Sequence, residues 1–329
     1  MKKILITGGA GYIGSHTVVE LIQNGYTPII IDNLCNSSIK NITGIENITK
    51  NKVIWHNIDC TNQIAMENIF SSESNIEGVI HFAAFKSVEE SVENPDKYYA
   101  NNIGSLDVVL KCMQNNQVEN IIFSSSCTVY GMPDILPVDE KAKFKQAASP
   151  YGETKQICEK MLAENSCNSV ALRYFNPIGS HSSTLIGDCS SDKPSNLIPI
   201  ITEVAIGKRK QITVFGNDYN TPDGTCIRDY IHVVDLAKSH TLAVKFLLNN
   251  TGKYAFNIGT GIGISVLEAI NKFEEANNIQ INYCIGPRRK GDIEQIYSNG
   301  KLAKELLGWE AKESLKKCMK SAWDWEKQK

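Results

Sequence analysis

The sequence has no long apolar run, no excess of basic charge and no clustered cysteines. None of its apolar runs reaches the ~18 residues that cross a bilayer, and the stretch Ile4–Thr7 is too short for a signal peptide. The 34 basic and 36 acidic residues nearly balance, so neither nucleic acid nor a membrane is indicated as a partner. The ten cysteines show neither C-x-x-C nor zinc-site spacing. We therefore expect a cytoplasmic protein with reduced thiols and no metal.

Apolar residues make up 42 % of the 329 residues, enough for about two domains with cores of their own. Short continuous apolar runs, typical of strands buried on both faces, alternate with helical patterns in the first half. This alternation predicts an α/β fold with a doubly wound parallel Rossmann sheet. The strand-like runs are Ile4–Thr7, Pro28–Asp32, Val53–His56, Gly78–Phe82, Asn120–Ser124 and Val170–Tyr174, and the helical ones are Tyr12–Asn24 and Asp96–Asn116.

The composition changes near residues 176–180, where Gly, Ser, Pro and Asp become frequent up to residue 195. Residues 179–195 are therefore predicted to form a long functional loop. We expect a first domain of residues 1–176 that holds the Rossmann sheet. A smaller C-terminal α/β domain of residues 177–329 follows, and its segments near 230–260 are candidates to pack back on the first domain.

A glycine-rich turn follows the first predicted strand and opens the first predicted helix. Gly8, Gly11 and Gly14 have the spacing that lets backbone N–H groups approach a pyrophosphate at a helix N-terminus. Asp32 ends the second strand, 18 residues after Gly14, where a carboxylate accepts both ribose hydroxyls of adenosine. No arginine stands beside it to hold a 2′-phosphate, which favours NAD over NADP. The alternative is that Asp32 only shapes a turn.

Ser126, Tyr151 and Lys155 form a second candidate group. Tyr and Lys at i and i+4 share one face of a helix, and a nearby cation lowers a phenol pKa from about 10. A bound nicotinamide cation would lower it further, so Tyr151 could act as a general base with Ser126 bonded to the reacting oxygen. The spacing alone decides nothing, because a second such pair, Tyr297 and Lys301, occurs downstream. The strand-end serines before Tyr151 favour the first pair.

Together these residues resemble the extended short-chain dehydrogenase/reductase superfamily and, within it, the UDP-glucose 4-epimerase family, also called UDP-galactose 4-epimerases. The resemblance covers nearly the whole chain, and the later strings are the more informative because they lie outside the shared cofactor fold. The strings are TGGAGYIGSHT (7–17), IDNLCNSS (31–38), HFAAFKSVEESVENPDKYYANNIGS (81–105), FSSSCTVYG (123–131), SPYGETK (149–155), LRYFNPIG (172–179), FGNDYNTPDGTCIRDYIHVVDLA (215–237), NIGTGIGISVLE (257–268) and GPRRKGD (286–292).

The resemblance implies NAD-dependent, reversible inversion at C4 of UDP-galactose and UDP-glucose, a reaction of galactose metabolism. Tyr151 would take the proton from the sugar 4-hydroxyl while hydride leaves C4 for NAD+. Lys155 would bind the nicotinamide ribose and tune Tyr151, and Ser126 would assist the proton transfer. The 4-keto sugar would then present its other face to the returning hydride, with no net redox change. The family also implies a homodimer, with helices near 97–115 and 152–165 packed as a four-helix bundle.

The resemblance also implies binding residues for both molecules, NAD in the first domain and the UDP-sugar in the second. Some catalytic residues are also binding residues. Tyr151 and Lys155 would contact the cofactor, and Ser126 and Tyr151 would contact the sugar. The remaining cofactor positions are Gly8, Gly11, Tyr12, Ile13, Gly14, Asp32, Asn33, Asn36, Ser37, Asp59, Cys60, Phe82, Ala83, Ala84, Phe85, Lys86, Asn101 and Phe175. The remaining substrate positions are Asn176, Asn196, Leu197, Phe215, Arg228, Arg289 and Asp292.

The distribution of arginine supports the substrate positions independently. The chain has only five arginines, all at or after residue 173, and Arg228 and Arg289 stand in Gly/Asp-rich segments. A guanidinium fork suits a pyrophosphate, although an ion pair with Asp229 or Asp292 would also explain each arginine. Lys86 could likewise be a solvated lysine.

Some features leave alternatives open. The loop 182–195 matches the family only loosely, and Ile296, at the position that sets room around the sugar 2-substituent, leaves acceptance of N-acetylated sugars undecided. A nucleotide-sugar 4,6-dehydratase or decarboxylase shares the Tyr–Lys pair, but Cys127 and Thr128 supply no carboxylate beside Ser126. A sugar-nucleotide reductase and a non-catalytic NAD sensor are further alternatives. His81 is interpreted as structural, and Cys127 lacks a histidine base.

Overall fold

The computed structural model describes residues 2–189, 194, 196–289 and 292–329. Parts of two predicted site segments lie outside the described residues. They are residues 190–193 and 195 of the predicted loop, and residues 290–291 of the string 286–292. The strands are β1 (Lys3–Thr7), β2 (Thr27–Ile31), β3 (Ile54–His56), β4 (Ile76–His81), β5 (Asn120–Ser126), β6 (Asn168–Tyr174), β7 (Asn176–Ile178), β8 (Ile212–Phe215), β9 (Ile227–His232), β10 (Lys253–Ile258), β11 (Gly263–Ser265), β12 (Tyr283–Gly286) and β13 (Gln295–Ile296).

Helices connect these strands, and most of them begin at a residue that caps the first turn. The helices are α1 (Tyr12–Gln23), α2 (Ile39–Thr49), α3 (Gln63–Ser72), α4 (Val88–Glu93), α5 (Pro95–Tyr98), α6 (Gly104–Asn115), α7 (Pro150–Glu164), α8 (Leu197–Ala205), α9 (Val233–Leu247), α10 (Val266–Asn277), α11 (Lys301–Leu307) and α12 (Leu315–Glu326). Five of the caps are serines whose side chains accept a hydrogen bond from the first helical turn, namely Ser38, Ser87, Ser149, Ser265 and Ser314.

Seven parallel strands form the main sheet in the order β10-β6-β5-β4-β1-β2-β3. Its strands are buried on both faces: Ile4 and Ile6 pack in one core cluster, and Leu5 between them packs in the other. This burial explains the continuous apolar runs in the sequence. The predicted doubly wound Rossmann sheet is confirmed. The strand order reverses at β1, so a crevice opens outside the carboxyl ends of β1 and β4.

The predicted helix over 96–116 is not one regular helix. A π-helical turn, Tyr99–Ile103, separates α5 from α6. A π-turn adds a residue to the helical register and is frequent at functional sites. Here it turns Asn102 inward, where the side chain is almost fully buried.

The other strands among the described residues form two smaller sheets. Strand β9 lies between β11 and β13 and also pairs with β7, while β8 and β12 form a two-stranded sheet. Strand β10, however, pairs with β6 at the edge of the main sheet, and α9 packs on α1. The main sheet therefore includes a segment from beyond residue 176, and the division at 176/177 stays a prediction. Within the described residues, no helix is both long and apolar enough to cross a membrane.

Candidate active site

The glycine-rich turn lies at the carboxyl end of β1, against the segment that follows β4. Gly8 has φ +71°, and a Cβ placed on it would lie 2.9 Å from the backbone nitrogen of Ala83. A Cβ on Gly14 would lie 2.2 Å from the carbonyl oxygen of Gly8. The turn leads directly into α1, whose first turn carries no acidic residue. The free N–H groups of that turn form a site suited to an anion.

Asp32 follows β2 and lies beside this turn. Its carboxylate accepts the N–H of Ala10 at 2.9 Å, the N–H of Leu34 at 2.9 Å and the hydroxyl of Ser37 at 2.8 Å. A carboxylate has about four lone-pair sites, so one remains for a ligand. Asp32 thus shapes its turn, as the alternative reading holds, and still faces the glycine-rich turn.

The neighbouring loops complete this end of the crevice. Asn33 donates to a carboxylate oxygen of Asp59 at 3.0 Å, and Asp59 also accepts from Thr61. Cys60 is buried next to it, and Asn36 lies in the same loop as Asn33. The structure therefore brings these predicted cofactor positions together.

The segment that follows β4 is held by Asn102, a residue that the sequence analysis missed. Its side chain accepts the N–H of Phe85 at 2.8 Å and donates to the Phe85 carbonyl oxygen and to Thr154 Oγ1, both at 3.1 Å. Asn101 donates to Asn102 in turn. Asn102 thereby joins the segment 82–86 to α7. The only sequence signal for this role was an asparagine pair inside an apolar helical pattern.

Ser126, Tyr151 and Lys155 converge beside this segment. Ser126 ends β5, and its side chain lies near enough to Tyr151 to favour the phenolate and lower the pKa of Tyr151. Tyr151 and Lys155 lie on the first turns of α7, and the Lys155 Nζ lies 5.9 Å from the centre of the Tyr151 ring. Lys155 is 3 % exposed and donates to the Ser124 carbonyl oxygen at 2.6 Å. The second Tyr–Lys pair differs, since Tyr297 follows β13 and Lys301 begins α11.

The electrostatics of this group correct one expectation. Burial raises the pKa of Tyr151 to about 12, and the nearby Ser126 side chain only partly offsets it. Burial also lowers the pKa of Lys155 to about 8. The expected lowering of the Tyr151 pKa by Lys155 is therefore wrong for the chain's own groups. The loss of hydration of the phenolate outweighs the attraction of an ammonium at this distance.

His81, at the end of β4, is not a base for this group. Its ring nitrogens bond to Thr7 Oγ1 at 2.8 Å and to Ser105 Oγ at 3.4 Å. Burial lowers the pKa of His81 to about 3, so the ring is neutral at physiological pH. Its role is to tie β1, β4 and α6 together.

A second cluster, made of charged groups, lies among the smaller sheets. Arg289 forms two hydrogen bonds with Asp292, at 3.0 and 3.3 Å, and Arg228 lies 3.6 Å from the same carboxylate. The Arg289 guanidinium also lies 5.5 Å from the centre of the Phe215 ring. The ion-pair alternative is thus realised with Asp292. Two guanidinium groups share one carboxylate, which leaves a net positive charge suited to a diphosphate.

Comparisons with known proteins agree with this geometry. The family model described as GDP-mannose 4,6 dehydratase matches residues 5–322. The UDP-glucose 4-epimerase of Haemophilus influenzae is 46 % identical over 98 % of this chain and 97 % of its own, and that of Homo sapiens is 43 % identical over 99 % and 97 %. The chain belongs to the UDP-glucose 4-epimerase family.

Solved structures of UDP-glucose 4-epimerases have the same fold. The enzyme of Bifidobacterium longum, in complex with NAD+ and UDP, has a TM-score of 0.96 and 43 % identity, covering 99 % of this chain and 98 % of its own. The enzyme of Stenotrophomonas maltophila, with bound NAD and formylated UDP-arabinopyranose, has a TM-score of 0.97 and 41 % identity, with coverages of 100 % and 98 %. The similarity therefore extends over the smaller sheets as well as over the Rossmann sheet.

The other positions that the epimerase resemblance implies are distributed between the two clusters. Lys86 forms an ion pair with Asp188 at 3.7 Å and lies 5.9 Å from the centre of the Tyr12 ring, while its side chain is 41 % exposed. Phe175 directly follows β6 and is buried, and Asn176 begins β7. Asn196 caps α8 through its backbone without a side-chain cap bond, and Leu197 follows it.

Proposed function

We propose that this protein is an NAD-dependent UDP-glucose 4-epimerase that interconverts UDP-galactose and UDP-glucose. The observation that carries the proposal is the convergence of Ser126, Tyr151 and Lys155 in a protein that also has two anion sites. One is the glycine-rich turn before α1, and the other is the pair of arginines around Asp292. A dinucleotide and a nucleotide-sugar can thus meet at one phenol.

The residues of the first site fit NAD. The glycine-rich turn packs so closely that a Cβ on Gly8 would meet the backbone of Ala83, and its N–H groups at the N-terminus of α1 would hold a pyrophosphate. Asp32, with one free lone-pair site, would accept from the adenosine ribose. The surrounding positions would complete the cradle, with Tyr12, Ile13, Asn33, Asn36, Ser37, Asp59 and Cys60 towards the adenosine and Phe82, Ala83, Ala84, Phe85, Lys86, Asn101 and Phe175 towards the nicotinamide. When bound, NAD+ supplies the hydride acceptor and donor and a positive charge near the reacting centre.

Tyr151 is the acid and base in this mechanism. It takes the proton of the sugar 4-hydroxyl as C4 is oxidised and returns it when C4 is reduced. Because burial raises the pKa of Tyr151 to about 12, the phenol is protonated at neutral pH unless further positive charge lies beside it. Ser126 holds the reacting oxygen, and Lys155 orients Tyr151 and binds the ribose.

The arginine cluster would hold the substrate by its diphosphate, which is remote from C4. Arg228 and Arg289 bind the diphosphate, Asp292 orients both guanidinium groups, and Phe215 packs beside them. Asn176, Asn196 and Leu197 complete the substrate positions. Anchoring at the diphosphate would leave the 4-keto sugar free to present its other face for reduction, so that C4 would be inverted without net oxidation.

The test is to mix the purified protein with UDP-galactose, without added reductant, and to follow the sugar protons by NMR. We expect conversion to UDP-glucose with no net NADH. Absence of conversion even with added NAD would contradict the proposal. A new C6 methyl signal would instead identify a 4,6-dehydratase. UDP-N-acetylgalactosamine then tests how much room Ile296, buried in β13, leaves at the sugar 2-position.

We also propose a homodimer through α6 and α7 and a cytoplasmic location. Supporting the dimer, Ile157 and Ala163 of α7 line an open groove with Phe144 that a second copy could cover. Sedimentation should then show a species of twice the 36.5 kDa chain mass. A single species at the chain mass at micromolar concentration would contradict the dimer.

A further inference from the structure

Asp229 is a buried carboxylate that joins three segments of the chain. It is 0 % exposed and lies on β9. One oxygen accepts the N–H and the hydroxyl of Thr260, at 2.8 and 2.6 Å. The other accepts the N–H of Gly261 at 3.0 Å and the N–H and hydroxyl of Ser298, at 3.1 and 2.7 Å. All five donors are neutral, so the carboxylate is held by directed hydrogen bonds rather than by an ion pair.

These bonds add to the few backbone bonds that hold a short strand on β9, such as that from the Ile227 N–H to the Glu294 carbonyl oxygen at 2.9 Å. Strand β13 has two residues, and its register on β9 consists of Gln295 opposite Ile227 and Ile296 opposite Arg228. So short a ladder has few hydrogen bonds of its own. Beyond β13, the backbone of Val138 hydrogen-bonds the residues on either side of Ser298. Asp229 accepts hydrogen bonds from both the N–H and the hydroxyl of Ser298. The carboxylate therefore sets where β13 lies along β9.

The packing around this carboxylate leaves no room for adjustment. A Cβ placed on Gly259 would lie 2.5 Å from Asp229 Oδ2 and 2.5 Å from Ser298 Oγ. The turn after β10 is thus in close contact with both groups. A change in the hydrogen-bonding capacity of Asp229 must then be absorbed by movement of the turn or of β13.

The position of β13 matters because the substrate cluster joins β9 to the segment that leads into β13. Arg228 precedes Asp229 on β9. Asp292, which contacts Arg228 and Arg289, comes three residues before β13 begins. Moving β13 relative to β9 would separate Asp292 from Arg228 and displace Ile296.

We propose that Asp229 is a positioning residue for UDP-sugar binding, acting through Arg228, Asp292 and Ile296 without touching the substrate. This inference rests on the proposed function for the identity of the sugar nucleotide. Replacing Asp229 by Asn removes the charge and turns an NH2 group towards backbone N–H donors. The two hydroxyls can rotate to accept from this NH2 group, but at least one of the three N–H bonds is lost.

The test is to compare Asp229→Asn with a matched control, Asp235→Asn. Asp235 is also buried and accepts two backbone N–H groups, those of Lys312 and Glu313, both at 2.7 Å. For Asp229→Asn we expect the KM for UDP-galactose and the calorimetric Kd for UDP to rise about 10-fold, with kcat within about threefold. For Asp235→Asn we expect a comparable loss of thermal stability and both constants within about twofold.

Equal effects of the two variants on Kd and KM, or an unchanged Kd for UDP in folded Asp229→Asn protein, would overturn the proposal. If Asp229→Asn does not fold, Ser298→Ala is the milder change. It removes one donor to Asp229 and the oxygen that accepts the Gly261 N–H at 3.1 Å, while the Gly261 N–H keeps its bond to Asp229. It should raise the Kd for UDP about threefold, and an unchanged value would overturn the proposal equally well. Wild-type protein that binds UDP without epimerising UDP-galactose would count against the proposed function alone, because the Kd comparison does not depend on turnover.

Discussion

The two sides of the site are built by different physical means. On the cofactor side, the ends of β1, β2, β4 and β5 emerge from one sheet whose strands are buried on both faces. On the substrate side, strands of two to six residues carry charged groups that hold one another. The first side depends on backbone position and packing, which tolerate little change. The second depends on charge pairs, whose strength varies with distance and salt.

The largest effect is expected from a change to Tyr151, the proposed acid and base that serves both sides. Tyr151→Phe removes the hydroxyl that moves the proton and leaves both anion sites intact. We expect kcat to fall about 1,000-fold, with the Kd values for NAD and for UDP unchanged. Stopped assays and calorimetry measure the two effects separately. A Phe variant with wild-type turnover would contradict the phenol mechanism.

On the cofactor side, we expect NAD affinity to fall strongly when a side chain is added inside the glycine-rich turn. In Gly14→Ala the new Cβ would lie 2.2 Å from the Gly8 carbonyl oxygen, and the turn would have to open. We expect NAD to bind about 100-fold more weakly, measured by fluorescence titration. The control is Gly104→Ala at the start of α6, where a Cβ meets nothing within 4 Å. It should raise the stability slightly and leave NAD affinity unchanged.

The substrate side should respond in a graded and salt-dependent way. Arg289→Gln leaves Arg228 and Asp292 in place, and we expect the KM for UDP-galactose to rise about 10-fold with a smaller dependence on salt. The control is Arg209→Gln, whose guanidinium pairs with Glu203 at 2.9 Å in α8 and should leave the KM unchanged. Equal responses of the two variants would remove Arg289 from the binding site.

Acid should weaken the cofactor side through its buried histidines. Burial lowers the pKa values of His16, His81 and His240 to about 3, below the usual 6.5 of the unfolded chain. The unfolded state therefore binds more protons below pH 6.5, and stability falls as the pH drops from 6.5 towards 3. Each histidine contributes up to about 1.4 kcal/mol per pH unit. Urea unfolding at pH 7, 6 and 5 measures the slope, and assigned imidazole NMR signals of these three histidines that titrate near 6.5 would contradict it.

Much of the cofactor side could be predicted from the sequence, because its signals are local. The glycine spacing, the acidic residue at the end of β2 and the strand-end serine before Tyr151 are each read within a few residues. The π-helical turn and the role of Asn102 could not be predicted, since they depend on contacts of that side chain with Phe85 and Thr154, 17 and 52 residues away. The return of β10 to the main sheet depends likewise on pairing with β6.

The sequence by itself determined the Rossmann sheet, the glycine-rich turn and the candidates for acid–base chemistry. Apolar periodicity and turn chemistry act over short stretches of chain, so they can be read without knowing the fold. The tertiary structure alone decided that Asp292 bridges two arginines, that Asp229 fixes β13 on β9, and that the chain's own groups raise rather than lower the Tyr151 pKa. Each of these outcomes depends on distance and burial, which arise only when segments far apart in the chain are brought together.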